Sequence, residues 1–345
     1  MSSLQNAASD QTTVNRNLLV SVILPTYNRR ELLREAIESL WTQTIDPSLF
    51  EIVVVDNASK DGTEEMVREM QRRSPCELRY YRNDRNIGCF ANINKSVELC
   101  RAPIVASTDD DCRMPPDWLE KGLAEFKDLE RIGFVSGRIL DKPEQKVTFF
   151  SIRNGAPEGE NACYPSGNCF YNREIYLKLG GMDMRTVFPD VADLPVGGAD
   201  TDLAWRMREA GYGYVFSKDV YVWHEVKTVS LKHWLAFHVR IFPLPFLIKR
   251  HPAMRKMMLA ADPFVMKENI YFYLAVLSLP LAFLHPLALL LFLPWIGFCV
   301  HTPGKPFSLA RIPALLGRIV FLSIRQAVIC GSLVRASIMA RTLVL

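Results

Sequence analysis

Up to about Ser230, short apolar runs alternate with segments of helical spacing, and this alternation restricts the fold more than any other feature. Leu18 to Leu24 is an apolar run ending at Pro25, and Glu51 to Val55 carries the buried-strand core Ile-Val-Val-Val. Leu78 to Tyr81 and Pro103 to Ser107 read as a third and a fourth strand. Between them, Arg30 to Thr42 places Leu33, Ala36, Ile37 and Leu40 on one helical face. Asn28 with Glu31, and Asp61 with Glu64, are patterns that cap helix starts. Another helix follows Asn86-Ile87-Gly88 and runs to about Leu99. Strands that alternate with helices pair in parallel through right-handed crossovers, giving an α/β fold. Ligands of such sheets bind outside the carboxyl ends of the strands. Those ends here carry Thr26, Asn28, Asp56, Asn57, Asn86 and Asp109 to Asp111.

The run Ser107-Thr108-Asp109-Asp110-Asp111 closes the fourth strand with three adjoining carboxylates. Like charges so close repel, and the arrangement is costly unless a cation or strong donors sit there. Hard oxygen ligands suit Mg²⁺ or Mn²⁺, ions that bridge to substrate phosphates. The plainer alternative is a solvated acidic turn, because Asp is a favoured turn residue. No G-x-G-x-x-G follows the first strand and no G-x-x-x-x-G-K-[ST] occurs, which argues against a dinucleotide dehydrogenase and a P-loop NTPase.

Hydrophobic residues make up 49% of the chain and charged residues 23%, enough for a packed core. A net charge of +4 is too weak to argue for a nucleic-acid partner. Eight cysteines, at 76, 89, 100, 112, 163, 169, 299 and 330, form no C-x-x-C pair. That argues against a zinc ribbon and for free thiols in a reducing cytosol. Residues 1–17 form a polar tail without an apolar signal region. Beyond Ser230 the chain turns apolar, aromatic and basic, so 18–230 reads as the soluble domain and 231–345 as a helical, membrane-associated region. Residues 270–300 are nearly uncharged and exceed the about 20 residues that span a bilayer, with Pro280, His285, Pro286 and Pro294 favouring a bent or re-entrant course. His301 to Pro306 reads as a turn. Arg311, Arg318 and Arg325 then fall on one face of an amphipathic helix over 307–345, lying in the membrane interface with arginines toward lipid phosphates. The alternative is a buried helix of a larger soluble core. Arg250, Arg255 and Lys256 before the apolar span indicate the cytoplasmic face of the membrane.

An ordered series of segments resembles the family 2 glycosyltransferases. It begins with Val20-Ser21-Val22-Ile23-Leu24-Pro25-Thr26-Tyr27-Asn28-Arg29 and Val53-Val54-Val55-Asp56-Asn57-Ala58-Ser59-Lys60-Asp61-Gly62-Thr63. Arg85-Asn86-Ile87-Gly88, Thr108 to Asp111 and Pro116-Asp117-Trp118-Leu119 continue it. Ser166-Gly167-Asn168, Leu179-Gly180-Gly181-Met182-Asp183, and Gly197-Gly198-Ala199-Asp200-Thr201-Asp202-Leu203 with Arg206 follow, and the series ends near Val222-Trp223-His224. It covers about residues 18 to 226, and the ordered set is specific although no single piece is.

The resemblance implies the GT-A fold, a mostly parallel sheet flanked by helices that uses nucleotide-diphospho-sugars, here followed by the apolar helical region. It implies that Pro25, Thr26 and the Asn28 region line a nucleotide pocket and that Asp56 accepts a hydrogen bond from a uracil ring. The other reading of Asp56 is a turn residue. Asn86, Gly88, Asp109 and Asp110 would border the nucleotide, Gly88 by allowing close backbone approach. Asp109 and Asp111 would form the D-x-D pair, with Asp111 the direct ligand of Mg²⁺ or Mn²⁺ and His224 completing the site. The metal would neutralise the diphosphate. Asp200 would be the general base; the alternative is an N-cap aspartate, and Asp202 could take the role instead. Asp200 stands before a helix expected over Thr201 to Ala210, with Gly211 as its stop. The family has Glu-Asp where this chain has Ala199-Asp200, which bears on acceptor contacts more than on chemistry. Arg206 would orient the acidic cluster or form a surface salt bridge. Gly167 and Asn168 would lie on the acceptor side, and Trp118 and Trp205 are most simply core residues.

The implied reaction is a single displacement that inverts the anomeric centre, with Asp200 taking a proton from an acceptor hydroxyl. A polyprenyl-phosphate acceptor needs little base, so Asp200 favours a hydroxyl. No Q-x-x-R-W is present, against a processive synthase. The expectation is transfer of one sugar from a nucleotide-sugar donor, UDP-linked, to a membrane-embedded or lipid-linked acceptor in surface-polysaccharide or glycolipid synthesis. The apolar region would bind membrane lipids and raise the effective acceptor concentration. A polyprenyl-phosphate glycosyltransferase, a nucleotidyltransferase and a non-catalytic sugar-nucleotide binder are the alternatives.

Overall fold

The computed structural model describes residues 18–153, 159–183, 197–301 and 312–345. The polar tail 1–17, Arg311 and residues 302–306 of the expected turn lie outside them. The chain divides into two compact units, one ending with Ala199–Thr228 and the other carrying Val229–Leu345.

The first unit is built on four parallel strands, β1 (Val20–Thr26), β2 (Phe50–Asp56), β3 (Glu77–Arg82) and β4 (Ile104–Thr108). They alternate with α1 (Arg30–Leu40), α2 (Thr63–Gln71) and α3 (Cys89–Leu99), close to the expected boundaries. Register levels the strand ends: Thr26 pairs with Asp56, and Ile23 with Ser107. Val20, Val22 and Leu24 of β1 pack with Ile52 and Val54 of β2 against Leu33, Ala36, Ile37 and Leu40 of α1. The period-2 and period-3.6 patterns thus meet in one core.

Past β4 the simple alternation stops. The chain continues through β5 (Cys112–Arg113), α4 (Trp118–Ala124), β6 (Ile132–Asp141), β7 (Ser151–Ile152), β8 (Asn168–Asn172) and α5 (Arg173–Lys178). Then come α6 (Ala199–Glu209), β9 (Gly213–His224) and β10 (Lys227–Thr228). The sheet order is β3-β2-β1-β4-β8-β6-β9-β5, and β8 is antiparallel to both neighbours. β10 pairs with β7 in a separate two-stranded ribbon. This mostly parallel sheet, flanked by helices, is the GT-A arrangement. Trp118 and Trp205 are buried core residues.

Asn28 does not cap α1. It has φ +52, and its Oδ1 accepts from Lys60 N at 2.8 Å, tying the β1 loop to the β2 loop. Asp61 takes the capping role from outside, accepting from Arg30 N at 2.9 Å and Thr63 N at 3.3 Å, so one carboxylate serves two helix starts.

The second unit contains α7 (Leu231–His238), α8 (Leu244–Arg250), α9 (Met254–Met258), α10 (Lys267–Ala282), α11 (Leu293–Val300) and α12 (Ile312–Ala340). Residues 270–300 are not one helix. The chain leaves α10 at Ala282, turns at Phe283–His285 and resumes as a 3-10 helix over Pro286–Phe292. Pro286 opens that helix, where its missing N–H costs nothing. Ala275, Trp295, Cys299 and Leu322 form the local core, with Trp295 Nε1 donating to Ser323 Oγ at 3.0 Å. α12 is one 29-residue helix, long and apolar enough to cross a membrane. Its arginines are not aligned as an outward stripe. Arg318 Nη2 donates to His301 O at 3.2 Å and Arg325 Nη2 to Gln326 Oε1 at 3.3 Å, while Leu316, Val320, Ile324, Val334 and Ile338 face outward.

Candidate active site

The levelled ends of β1, β2 and β4 frame a cavity of about 240 Å³ lined by Pro25, Thr26, Tyr27, Arg29, Asn57, Asn86, Cys89, Asn92, Asp109 and Asp110. A larger polar depression of about 540 Å³, around Arg30, Lys60, Glu64 and Arg82, lies along α1 and α2 and away from the acidic cluster. The smaller cavity is the one that meets the carboxylates.

Its side wall is a ladder of amides. Asn57 Nδ2 donates to Asn86 Oδ1 at 2.8 Å, and Asn57 Oδ1 accepts from Ile87 N at 2.9 Å and Asn83 Nδ2 at 3.1 Å. Asn83 Nδ2 also donates to Asn92 Oδ1 at 2.7 Å, and Asn92 Nδ2 donates to Val55 O at 2.8 Å. These bonds fix the 83–88 loop in place, and Asn86 Oδ1 takes Gly88 N at 2.9 Å. Gly88 has φ +88 and open space where a Cβ would stand, so glycine serves the backbone conformation there.

Asp56 lies beneath this pocket rather than in it. It is fully buried; Oδ1 accepts from Ser59 N at 2.8 Å and Oδ2 from Tyr80 OH at 2.7 Å. Burial, and then the hydrogen bond to Asp56, hold the Tyr80 phenol well above its usual range.

The three aspartates do different work. Asp110 is buried, with Oδ2 accepting from Thr26 Oγ1 at 2.7 Å and Oδ1 from Arg29 Nη1 at 2.8 Å, so it braces the pocket floor. Burial pushes its carboxyl above the usual range despite Arg29. Asp109 stands 38% exposed at the cleft mouth; desolvation, then the Asp111 charge, push it up to about 6. Asp111 is buried but held below the usual carboxylate range, because the charge that His224 carries when protonated, with Lys227 and Arg29, outweighs burial. Its Oδ2 takes Lys227 Nζ at 2.6 Å and Arg29 Nη1 at 3.0 Å. Its Oδ1 is buried without a hydrogen bond, 3.1 Å from His224 Nε2.

His224 ends β9 opposite Cys112 of β5. Its Nδ1 lies 2.9 Å from Glu225 O, which selects the tautomer with a lone pair on Nε2. One atom from each of Asp109, Asp111, Cys112 and His224 lies within 4.8 Å of the others. Carboxylates and a neutral imidazole suit a divalent cation such as Mg²⁺ or Mn²⁺, and Asp111 Oδ1 is the buried acceptor such an ion would satisfy. Burial first, and then Asp109 and Asp111, push the Cys112 thiol well above its usual value. Asp109, Asp111 and His224 are the candidate ligands whose donors suit a hard divalent ion, with Cys112 a softer neighbour.

Asp200 sits in the first turn of α6 and accepts from Thr201 N at 2.9 Å and Ser166 N at 3.2 Å. It faces the same wall as the cluster: desolvation, then the charges of Asp109, Asp200 and Asp110, push the Cys89 thiol up to about 12.

Residues 21–181 match the family described as glycosyl transferase family 2. The chain is 29% identical over 217 residues to glycosyltransferase AglE of Haloferax volcanii, covering 60% of this chain and 67% of AglE. It is 28% identical over 237 residues to the glucosyl-dolichyl phosphate glucuronosyltransferase of the same organism, covering 63% and 73%. In fold it is similar to mannosyltransferase PcManGT from Pyrobaculum calidifontis, solved with GDP-Man and Mn²⁺, with a TM-score of 0.57 and 20% identity over 94% of this chain and 88% of that one. Residues 21–181 belong to the family 2 glycosyltransferases.

Several residues of this glycosyltransferase stand elsewhere than the resemblance implies. Asn168 is fully buried and engaged, its Nδ2 donating to Arg138 O at 2.8 Å and Val220 O at 3.1 Å while Oδ1 accepts from Trp118 Nε1 at 2.9 Å. It joins strands and offers no atom to an acceptor. Gly167 backs the metal site: a Cβ there would come 2.7 Å from Asp109 Oδ2. Asp202 is buried and its Oδ2 accepts from Arg206 Nε at 2.7 Å, while the Arg206 Nη atoms bond Leu179 O and Gly181 O. Arg206 therefore braces the 179–183 loop rather than the aspartate cluster. Arg29, Asn83, Asn92 and Lys227 also contact this site, and the sequence alone assigns them no role in it. Asn83, Asn86 and Asn92 crowd around the third crossover, a readable sign of an amide network; nothing in the sequence marks Lys227.

Proposed function

We propose that this glycosyltransferase moves one sugar from a nucleoside-diphosphate donor, UDP the narrower expectation, to a hydroxyl of a membrane-bound acceptor, with inversion. The observation that carries the reading is the meeting of Asp109, Asp111 and His224 beside a cavity at the carboxyl ends of β1, β2 and β4. A divalent cation held by those three residues would neutralise the leaving diphosphate. Thr26, Asn57 and Asn86 line the nucleoside side of the cavity. Asp200, held by two backbone N–H groups, takes the acceptor proton. Asp202 is excluded from that role by its burial and its Arg206 partner.

The acceptor side of the proposal rests on the second unit. Phe283 is 93% exposed, and Leu284, Leu287, Leu290 and Leu293 stand out beside it. An apolar patch of this kind marks a membrane or partner surface, and with α12 it supports a lipid-embedded acceptor at the cytoplasmic face of the membrane. The glucuronosyltransferase relative is named for a glucosyl-dolichyl phosphate, a saccharide hydroxyl carried on a lipid, which fits the same class. Surface-polysaccharide or glycolipid assembly is the corresponding setting. The test is calorimetric titration of the full chain with UDP, GDP and dTDP, with Mn²⁺ or chelator. Metal-dependent binding of one nucleotide is expected; none by folded protein would overturn the reading.

A further inference from the structure

Asp111 Oδ2 is shared by two cations, Lys227 Nζ at 2.6 Å and Arg29 Nη1 at 3.0 Å. Arg29 Nη1 is tied a second time, to Asp110 Oδ1 at 2.8 Å, and so is anchored. Lys227 has a second, looser anion in Glu225 Oε2, 3.5 Å from its Nζ, and its stem is set by its backbone. It opens β10, where pairing with β7 sets it opposite Ile152, and Thr228 Oγ1 and Ser151 Oγ lie 3.0 Å apart beside it. Val226 N donates to Gln145 Oε1 just before it. The ribbon therefore aims the lysine stem at the acidic cluster, while its side chain is 34% exposed and its ammonium can change anions by rotating.

Resting on the donor-site reading, we propose that Lys227 is an exchangeable counter-ion: it neutralises Asp111 until a nucleoside diphosphate enters, then moves to the diphosphate oxygens and leaves Asp111 to the metal. An ammonium and a divalent ion on one carboxylate repel strongly in a partly buried site. A diphosphate supplies the anionic oxygens that let both cations stay, as charge-assisted hydrogen bonds. Metal and nucleotide then favour each other's binding, and by linkage the factor is the same in both directions. Lys227 is thus a donor-positioning residue that sets this coupling.

The experiment is calorimetric titration of the full chain with Mn²⁺ alone, with UDP or GDP alone, and with each nucleotide in Mn²⁺. In Lys227→Met, affinity for Mn²⁺ alone rises on the order of tenfold, as expected for removing an adjacent like charge. Nucleotide affinity in Mn²⁺ falls on the order of tenfold through the lost charge-assisted contact. Lys227→Arg keeps the charge and the wild-type coupling. The opposite signs separate this role from a structural one, which would weaken both ligands together. Lys227→Met with unchanged or weaker Mn²⁺ binding, or with unchanged nucleotide affinity, overturns the inference while the donor site stands. Wild-type protein that binds neither nucleotide under any condition breaks the donor-site reading instead.

Discussion

In the sheet unit Val20, Val22, Leu24, Ile52 and Val54 of β1 and β2 are among the fully buried positions, and polar groups gather at strand ends. In the helical unit Asn269, Ser278 and Gln326 are buried, whereas Phe283, Leu284 and Ile338 stand outside at 93%, 83% and 72% exposure. The first arrangement is what water selects. The second is what a hydrocarbon surround selects, since lipid tails are as apolar as leucine and polar side chains turn inward to bond one another. On the proposed membrane reading, one chain carries two solvents' rules.

The largest effect is expected in the sheet unit. Asp200→Asn keeps one of the two oxygens that accept from Thr201 N and Ser166 N, and it cannot take a proton. Transfer should fall by about 10²–10⁴-fold, the usual share of a general base, while nucleotide affinity is unchanged. Parallel product assay and calorimetry separate the two. Equal loss of nucleotide binding would move Asp200 from chemistry to donor holding.

Next comes the apolar turn of the helical unit. Replacing Phe283, Leu284 and Leu287 together by serine removes three side chains, each worth about 1.5–3 kcal/mol when fully buried. Partial insertion should still lower partitioning into anionic vesicles by on the order of 100-fold, read by flotation. Unchanged partitioning would assign the contrast between the units to something other than lipid.

How well each region could be read follows from the same contrast. β1 to β4 and their helices were legible because a strand buried on both faces is a short apolar run, and an amphipathic helix in water shows its period. The aspartate cluster was legible because charge crowding is visible in one dimension, whereas His224, far along the chain, entered only through the family resemblance. Asn168 was not, since a buried amide that joins three strands looks like any polar strand residue until the register is known. Arg318 and Arg325 misled for a physical reason: a charged residue in a helix is assigned to the wet face, yet here the outer face is apolar. The hairpin at Phe283–His285 was signalled by Pro286, which the bent or re-entrant reading took into account.

Glu51 sharpens the water rule at the other end of the sheet. It is completely buried in β2, accepting from Ser21 Oγ at 2.6 Å, Arg101 N at 2.9 Å and Arg79 Nη1 at 3.0 Å. Burial raises its carboxyl, but the bonds from Ser21 and Arg101 and the Arg79 charge outweigh that and hold it below the ordinary 4.5. Its stabilisation is therefore complete above the unfolded-state value and is lost as pH falls through the lower folded value. Glu51→Gln should cost about 3 kcal/mol near neutrality by removing the carboxylate partner of Arg79 and one of the two partners of Arg101. The Tm gap between wild type and variant should close below about pH 4.5, the ordinary value. A gap that does not change with pH would mean the carboxylate charge plays no part.

The smallest effect tests the inverted interior directly. Gln326 Nε2 of α12 donates to Asn269 Oδ1 of α10 at 2.6 Å, and both side chains are buried. Gln326→Leu strands the asparagine oxygen and should cost about 1 kcal/mol, the scale of a single interhelical hydrogen bond in lipid. Adding Asn269→Leu removes the stranded partner, and replacing both members of a buried pair by apolar groups is close to neutral. Thermal unfolding in detergent or bicelles should therefore rank the double variant above the single one, a non-additivity that only contacting residues show. If Asn269 Oδ1 found another donor once Gln326 was replaced, the pair would contribute nothing. The single variant would then match wild type, and the contrast between the two units would rest on their surfaces alone.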